Sequence, residues 1–102
     1  MITFKDYSGR NIRLTANRLG HILTRLEMAG QEEKIKETLL TPDKIKKSKH
    51  DLDVLLYYKL YEKTPVTKKY LLVAVKVENG EGFVLTSFFT DKIKAGESLW
   101  EK

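Results

Sequence analysis

Val54-Leu55-Leu56-Tyr57-Tyr58-Lys59-Leu60-Tyr61, Tyr70-Leu71-Leu72-Val73-Ala74-Val75-Lys76-Val77 and Phe83-Val84-Leu85-Thr86-Ser87-Phe88-Phe89-Thr90 decide the fold class of this chain. All three runs are rich in β-branched and aromatic residues, and each has the length of a strand. Asn79-Gly80-Glu81-Gly82 joins the last two and is a strong hairpin signal. The loop length sets which side chains share a face. A loop of two or four residues puts Thr86 and Phe88 beside Leu71, Val73 and Val75. A three-residue loop moves Thr86 to the Leu72, Ala74 and Lys76 face instead.

Outward from these runs the period changes. Lys63-Thr64-Pro65-Val66-Thr67-Lys68 reads as a loop, and a short strand over Lys44–Lys47 precedes the long ones. Upstream, Leu19, Ile22, Leu23 and Leu26 recur at i, i+3, i+4 and i+7, a single apolar helix stripe with Thr15 as its N-cap and Gly30 as its stop. A second helix is expected from about Gln31 to Leu40, with Glu32 and Glu33 in its first turn and Thr41-Pro42-Asp43 ending it. Ile2-Thr3-Phe4 and Ile12-Arg13-Leu14 flank a polar stretch and read as a short hairpin or two small strands. Helices first and strands afterwards predict an α+β class, with the helices on one face of an antiparallel sheet.

The chain has 102 residues, the size of one domain, and 41% of them are apolar, enough for a core without staples. Zero cysteines exclude disulfides and thiolate metal sites and suit a reducing cytoplasm. No apolar run approaches the ~18–20 residues of a membrane span, so no membrane role is expected. Phosphate loops, dinucleotide fingerprints, zinc-protease and calcium-loop patterns are all missing, so no cofactor or metal is expected.

The net charge is +5, and the whole surplus lies in residues 1–50. It peaks at Lys44-Ile45-Lys46-Lys47-Ser48-Lys49-His50, which reads either as a solvated face or as a phosphate-contact surface using Lys46 and Lys47. His21 lies on the flank of the first helix stripe, with Arg25 one turn on and Arg18 one turn back. An imidazole there is either a boundary residue bonded to a carbonyl or a general acid or base near neutral pH. Thr86, Ser87 and Thr90 either satisfy neighbours in a half-buried sheet or donate to a bound oxyanion. Tyr57, Tyr58, Tyr61 and Tyr70 bring aromatic surface to the sheet, for cross-strand packing or for stacking on RNA bases.

The string Leu14-Thr15-x-x-Arg18-x-x-His21-Ile22-Leu23 is followed by Thr41-Pro42-Asp43-Lys44-Ile45 and the strand pair Leu56–Lys59 and Lys69–Lys76. The chain closes with Gly82–Lys94, Gly96-Glu97 and Leu99-Trp100. In order and spacing these segments resemble the phage- and mobile-element-associated nuclease-like domains of the barnase–EndoU–colicin–RelE superfamily, over about Leu14 to Trp100. The resemblance implies a curved, four-stranded antiparallel sheet with helices against it. It also implies metal-independent RNA cleavage of toxin or phage-conflict type, by attack of the ribose 2′-hydroxyl on the adjacent phosphate. His21 would be the acid or base, Thr86 a phosphate donor, Lys69 and Arg25 charge stabilisers, and Tyr58 a substrate contact. RNA and a cognate inhibitor or immunity protein are the implied partners. The second histidine and the proline that often follow the helix histidine are absent, because the stretch reads Arg25-Leu26-Glu27-Met28. The alternative is a non-catalytic RNA- or protein-binding module, and a structural or phage-accessory role is a third reading.

Overall fold

The structure is a computed structural model that describes every residue from Met1 to Lys102. Its elements are β1 (Ile2–Lys5), β2 (Asn11–Leu14), α1 (Ala16–Ile22), a 3-10 turn over Leu26–Met28, and α2 (Glu32–Leu40). Then come β3 (Lys44–Lys47), β4 (Val54–Tyr61), β5 (Lys69–Glu78), β6 (Glu81–Thr90) and β7 (Ser98–Glu101). All the strands join one sheet in the order β1-β2-β6-β5-β4-β3-β7.

This corrects the expectation of N-terminal helices packed on a curved antiparallel sheet of about four strands. The sheet has seven strands and is mixed, because β2 runs parallel to β6 through Ile12–Gly82 and Arg13–Phe83. Two additions account for the difference. The β1–β2 hairpin docks on β6 rather than standing alone, and β7 extends the sheet beyond β3. The Ile12 and Val75 side chains fill the space over Gly82 where a Cβ would stand. A Cβ on Gly82 would lie 2.5 Å from Ile12 Cδ1 and 2.7 Å from Val75 Cγ1.

The helical part is shorter than its apolar spacing suggests. α1 begins at Thr15, whose hydroxyl accepts the Arg18 N–H, but it ends at Ile22. Gly20 lowers its propensity, and the Thr24 hydroxyl donates back to the His21 carbonyl at 2.7 Å, an alternative to the next helical turn. Arg25 is extended, so Leu26 leaves the stripe and is exposed.

The β5–β6 turn has two central residues, Asn79 and Gly80, both at positive φ (52° and 79°). From this even loop Val84 falls opposite Val75. The register then shifts, because Leu85 is an extra residue and Thr86 falls opposite Ala74. Beyond this bulge Thr86 and Phe88 share the face of Ala74 and Leu72, while Ser87 and Phe89 face Val73 and Leu71.

The two faces are closed differently. On the first, Tyr57, Leu71, Val73, Val75, Val84 and Phe89 meet Ile35 and Leu39 of α2, Ile22 of α1 and Met28 of the 3-10 turn. We call this the helix face. On the second, Val54, Leu56, Tyr58, Leu72 and Ala74 form a small cluster packed by Ile93, Leu85 and Phe88. Four successive antiparallel pairings make β6 and β7 point the same way, so the chain must return across the sheet between them. Asp91–Glu97 does so over this second face, spanning four inter-strand spacings, about 19 Å. We call it the strap. The Tyr58 hydroxyl holds it by accepting the Lys94 N–H at 3.0 Å.

Candidate nucleic-acid interface

The pairing of β2 with β6 lasts only two residues. Beyond it α1 and the 3-10 turn lie beside β6 and bring arginines against its outer residues. Three arginines follow from this path. Arg13 belongs to β2 opposite Phe83, Arg18 to α1, and Arg25 to the extended residue before the 3-10 turn. The Arg13 guanidinium lies 5.9 Å from the centre of the Phe83 ring. That of Arg25 lies 5.0 Å from the centre of the Phe88 ring. Each is within cation–π distance.

Thr86 sits between the two phenylalanines on the same face, and its hydroxyl accepts from Arg25 Nη1 at 3.4 Å. Phe83, Leu85, Thr86, Phe88 and Thr90 are all half-exposed. The bulge at Leu85 is what places Thr86 there, since an unbroken strand would have turned its side chain to the helix face. The result is a strip running roughly 15 Å along β6. Its ends are Arg–Phe pairs, and a hydroxyl stands in the middle. A shallow cleft of about 340 Å³ adjoins it and is lined by Arg13, Arg18, Lys76, Glu78, Phe83 and Leu85.

The cations of the strip are not equivalent. Arg13 Nη2 is 2.8 Å from Glu81 Oε1, and Lys76 is held by Asp51 at 2.7 Å. Hydrogen bonding to Asp51 raises the Lys76 ammonium and lowers the Asp51 carboxyl, so the pair stays ionised. Arg18 and Arg25 have no carboxylate within 4 Å. They are the arginines of this surface without an ion-pair partner.

The other residues singled out by the sequence do not gather here. His21 is exposed on α1, and its ring makes no hydrogen bond within the chain. Tyr58 is fully buried beneath the strap, edge-on to Tyr70 at 6.3 Å. Burial pushes its hydroxyl upward, against the smaller opposing effect of the Lys94 N–H. Lys69 lies with Leu71 and Val73 on the helix-face side of β5 and is paired with Asp91. Thr90 caps the end of β6, its hydroxyl donating to the Lys92 carbonyl at 3.3 Å and accepting the Lys92 N–H at 3.2 Å.

Lys46 shares a cross-sheet row with Leu56, Ala74 and Thr86, three strands and about 14 Å from Thr86. Lys47 points the other way, with Leu55, and its N–H donates to the Glu97 carbonyl. So Arg25 and Thr86 come together, with Arg18 in the adjoining cleft, while Tyr58, Lys69, Lys46 and Lys47 are each elsewhere.

Sequence reasoning missed Arg13, Phe83 and Phe88. A signal existed for the phenylalanines, since Phe83 and Phe88 bracket Thr86 in one strand, but their common face depends on the bulge. Arg13 had none, because nothing in Ile12-Arg13-Leu14 reveals a partner seventy residues away. The chain matches no known family model, no curated protein sequence and no solved structure.

Proposed function

We propose that this protein is a non-catalytic RNA-binding module that engages single-stranded RNA along β6. The observation that carries this reading is the pair of half-exposed Arg–Phe contacts, Arg13–Phe83 and Arg25–Phe88, flanking the Thr86 hydroxyl. Aromatic rings and guanidinium planes on an open sheet face offer platforms for unpaired bases, and the remaining guanidinium N–H groups reach phosphates. Arg18 and Arg25 supply positive charge that no carboxylate pairs within 4 Å. The absence of cysteines suits action in the cytoplasm, where RNA is at hand.

The nuclease reading needs a proton acceptor and a proton donor poised at one phosphate. The exposed His21 ring, the enclosed Tyr58 hydroxyl and the paired Lys69 on the opposite face favour binding over cleavage.

Fluorescence anisotropy with a labelled single-stranded oligoribonucleotide, over a series of salt concentrations, tests the proposal. Arg25→Gln should weaken binding about tenfold at low salt and reduce the slope of log K against log salt by ~0.7, one single-strand phosphate contact. An unchanged affinity for that variant sinks the strip as the binding surface. RNA cleavage that survives EDTA and disappears in His21→Ala would instead establish the nuclease.

A further inference from the structure

A second concave, basic place lies on the strap face at the opposite edge of the sheet. Ser48, Lys49 and His50 form one wall, in the turn between β3 and β4. Lys94 and Ala95 of the strap form the other, and Leu56 of β4 is the floor. Its volume is about 310 Å³, at the small end of ligand pockets, which begin at ~300 Å³. We propose that this cleft binds a phosphomonoester group. The inference does not rest on the RNA-binding reading, since none of its residues belongs to the β6 strip.

Both walls are fixed. The Ser48 N–H donates to the Val54 carbonyl at 2.9 Å, which ties the turn to β4. The Lys47 N–H donates to the Glu97 carbonyl at 2.8 Å, and the Lys94 N–H is held by Tyr58. The two segments are 46 residues apart in sequence at Ser48 and Lys94, so the cleft exists only because the strap is docked. A preformed cleft needs little ordering when a ligand enters.

The polar side chains of the cleft are all donors to an anion. Lys49, His50 and Lys94 have no carboxylate within 4 Å. The nearest acid along the chain, Asp51, is occupied by Lys76 and by the Asp53 N–H. Glu97 lines a neighbouring hollow that shares Ser48 and Lys49 with the cleft, and it pairs with neither lysine of the cleft. The Ser48 oxygen accepts the N–H groups of His50 at 3.2 Å and Asp51 at 3.4 Å, while its own hydrogen has no acceptor in the chain. Leu56 contributes an apolar floor that strengthens charge interactions above it.

Two ammonium groups, an imidazole and a hydroxyl around one hollow match a ligand with several oxygens and a charge near −2. A phosphomonoester has three terminal oxygens and that charge at neutral pH. A carboxylate offers two oxygens and a single charge. The phosphate could belong to the end of an RNA strand or to a small free molecule, and the two sources are separable.

The test is an NMR titration of the full-length protein with inorganic phosphate at constant ionic strength, repeated with uridine 5′-monophosphate. Saturable shifts should concentrate at Ser48, Lys49, the His50 ring, Lys94 and Ala95. The double variant Lys49→Gln/Lys94→Gln should weaken the affinity at least tenfold, and its retained fold is checked by its amide spectrum. Arg25→Gln should bind inorganic phosphate as the wild type does, so failure here is distinct from failure of the β6 strip. Tighter binding of a 5′-phosphorylated oligouridylate than of its 5′-hydroxyl counterpart, lost in the double variant, assigns an RNA end. Equal binding of the two oligomers with saturable mononucleotide binding assigns a free phosphomonoester. Non-saturating shifts spread over the surface lysines, or full affinity in the double variant, overturn the site.

Discussion

The two faces of the sheet are built from the same apolar strands and yet are covered very differently. The helix face is sealed by fourteen buried residues, and α2 lies across β4 and β5 with Ile35 and Leu39 fully enclosed. The strap face buries five, beneath a seven-residue segment with no regular structure. What differs is the cover. A helix offers a wide apolar stripe, whereas an extended segment offers one side chain at a time, here Ile93. The narrow cover leaves the margins of its face open, and both basic surfaces lie in those margins.

Removing a contact from each face should expose that inequality first. Leu39→Ala, at a fully buried position, should cost about 2–5 kcal/mol, whereas Ile93→Ala under the strap should cost roughly 1 kcal/mol or less. Chemical denaturation of both variants measures the difference, and equal losses would show that the strap is as much a part of the core as α2.

A polar staple on the helix side should give the next largest effect. The buried Asp6 carboxylate accepts the Ser8 and Arg10 N–H groups on Oδ1 and the Tyr57 hydroxyl on Oδ2 at 2.7 Å. Burial alone would raise its pKa, but the hydrogen bonds from Tyr57, Ser8 and Arg10 outweigh it and hold the carboxyl below its ordinary value. Tyr57→Phe should therefore cost about 1–3 kcal/mol. Since the folded carboxyl is the stronger acid, its contribution is fully present above the unfolded value of ~3.9 and is lost as pH falls through the lower folded value. Acid unfolding of Asp6→Asn should lack that part of the pH dependence. If its stability falls with acid as steeply as the wild type's, the assignment to Asp6 is wrong.

On the strap face the corresponding bond is weaker. Tyr58→Phe removes the acceptor of the Lys94 N–H and should cost about 0.5–1.5 kcal/mol, with faster hydrogen exchange at Lys94. Phosphate binding in the cleft should weaken with it, because one wall loses its anchor.

The smallest change in stability should come from Glu81→Gln, which opens an exposed ion pair worth at most ~1 kcal/mol. Its effect on RNA should be opposite in sign. With Arg13 released, binding should tighten severalfold at low salt and depend more steeply on salt concentration.

Much of this contrast is latent in the sequence, and some of it is not. Val54–Tyr61, the Asn79-Gly80 turn and the Thr15 cap are local signals, set by side chains within a few residues, and each is found where its chemistry places it. The Leu19–Leu26 stripe was equally local but lost to Gly20 and Thr24, which cut the helix short. Attachment of β1–β2 to β6 and the addition of β7 depend on pairings between distant residues. Four-residue strands such as Ser98–Glu101 carry too few side chains to announce a partner. For the site, arginine at 25 and the hydroxyl at 86 were legible as residue types. Their meeting was not, because it depends on where one helix stops and on a single extra residue, Leu85, in the strand.

The parallel contact between β2 and β6 also bears on the order of assembly. Ile12 meets Gly82, and Arg13 meets Phe83, across seventy residues of chain, while β4, β5 and β6 follow one another through connections of seven and two residues. Closing the longer loop costs more entropy and gains only two rungs of pairing, so the central meander should form before the first hairpin docks. During synthesis the amino-terminal hairpin would leave the ribosome early and then wait for a partner made some seventy residues later. Its Ile12 and Leu14 would spend that interval without the core they finally join.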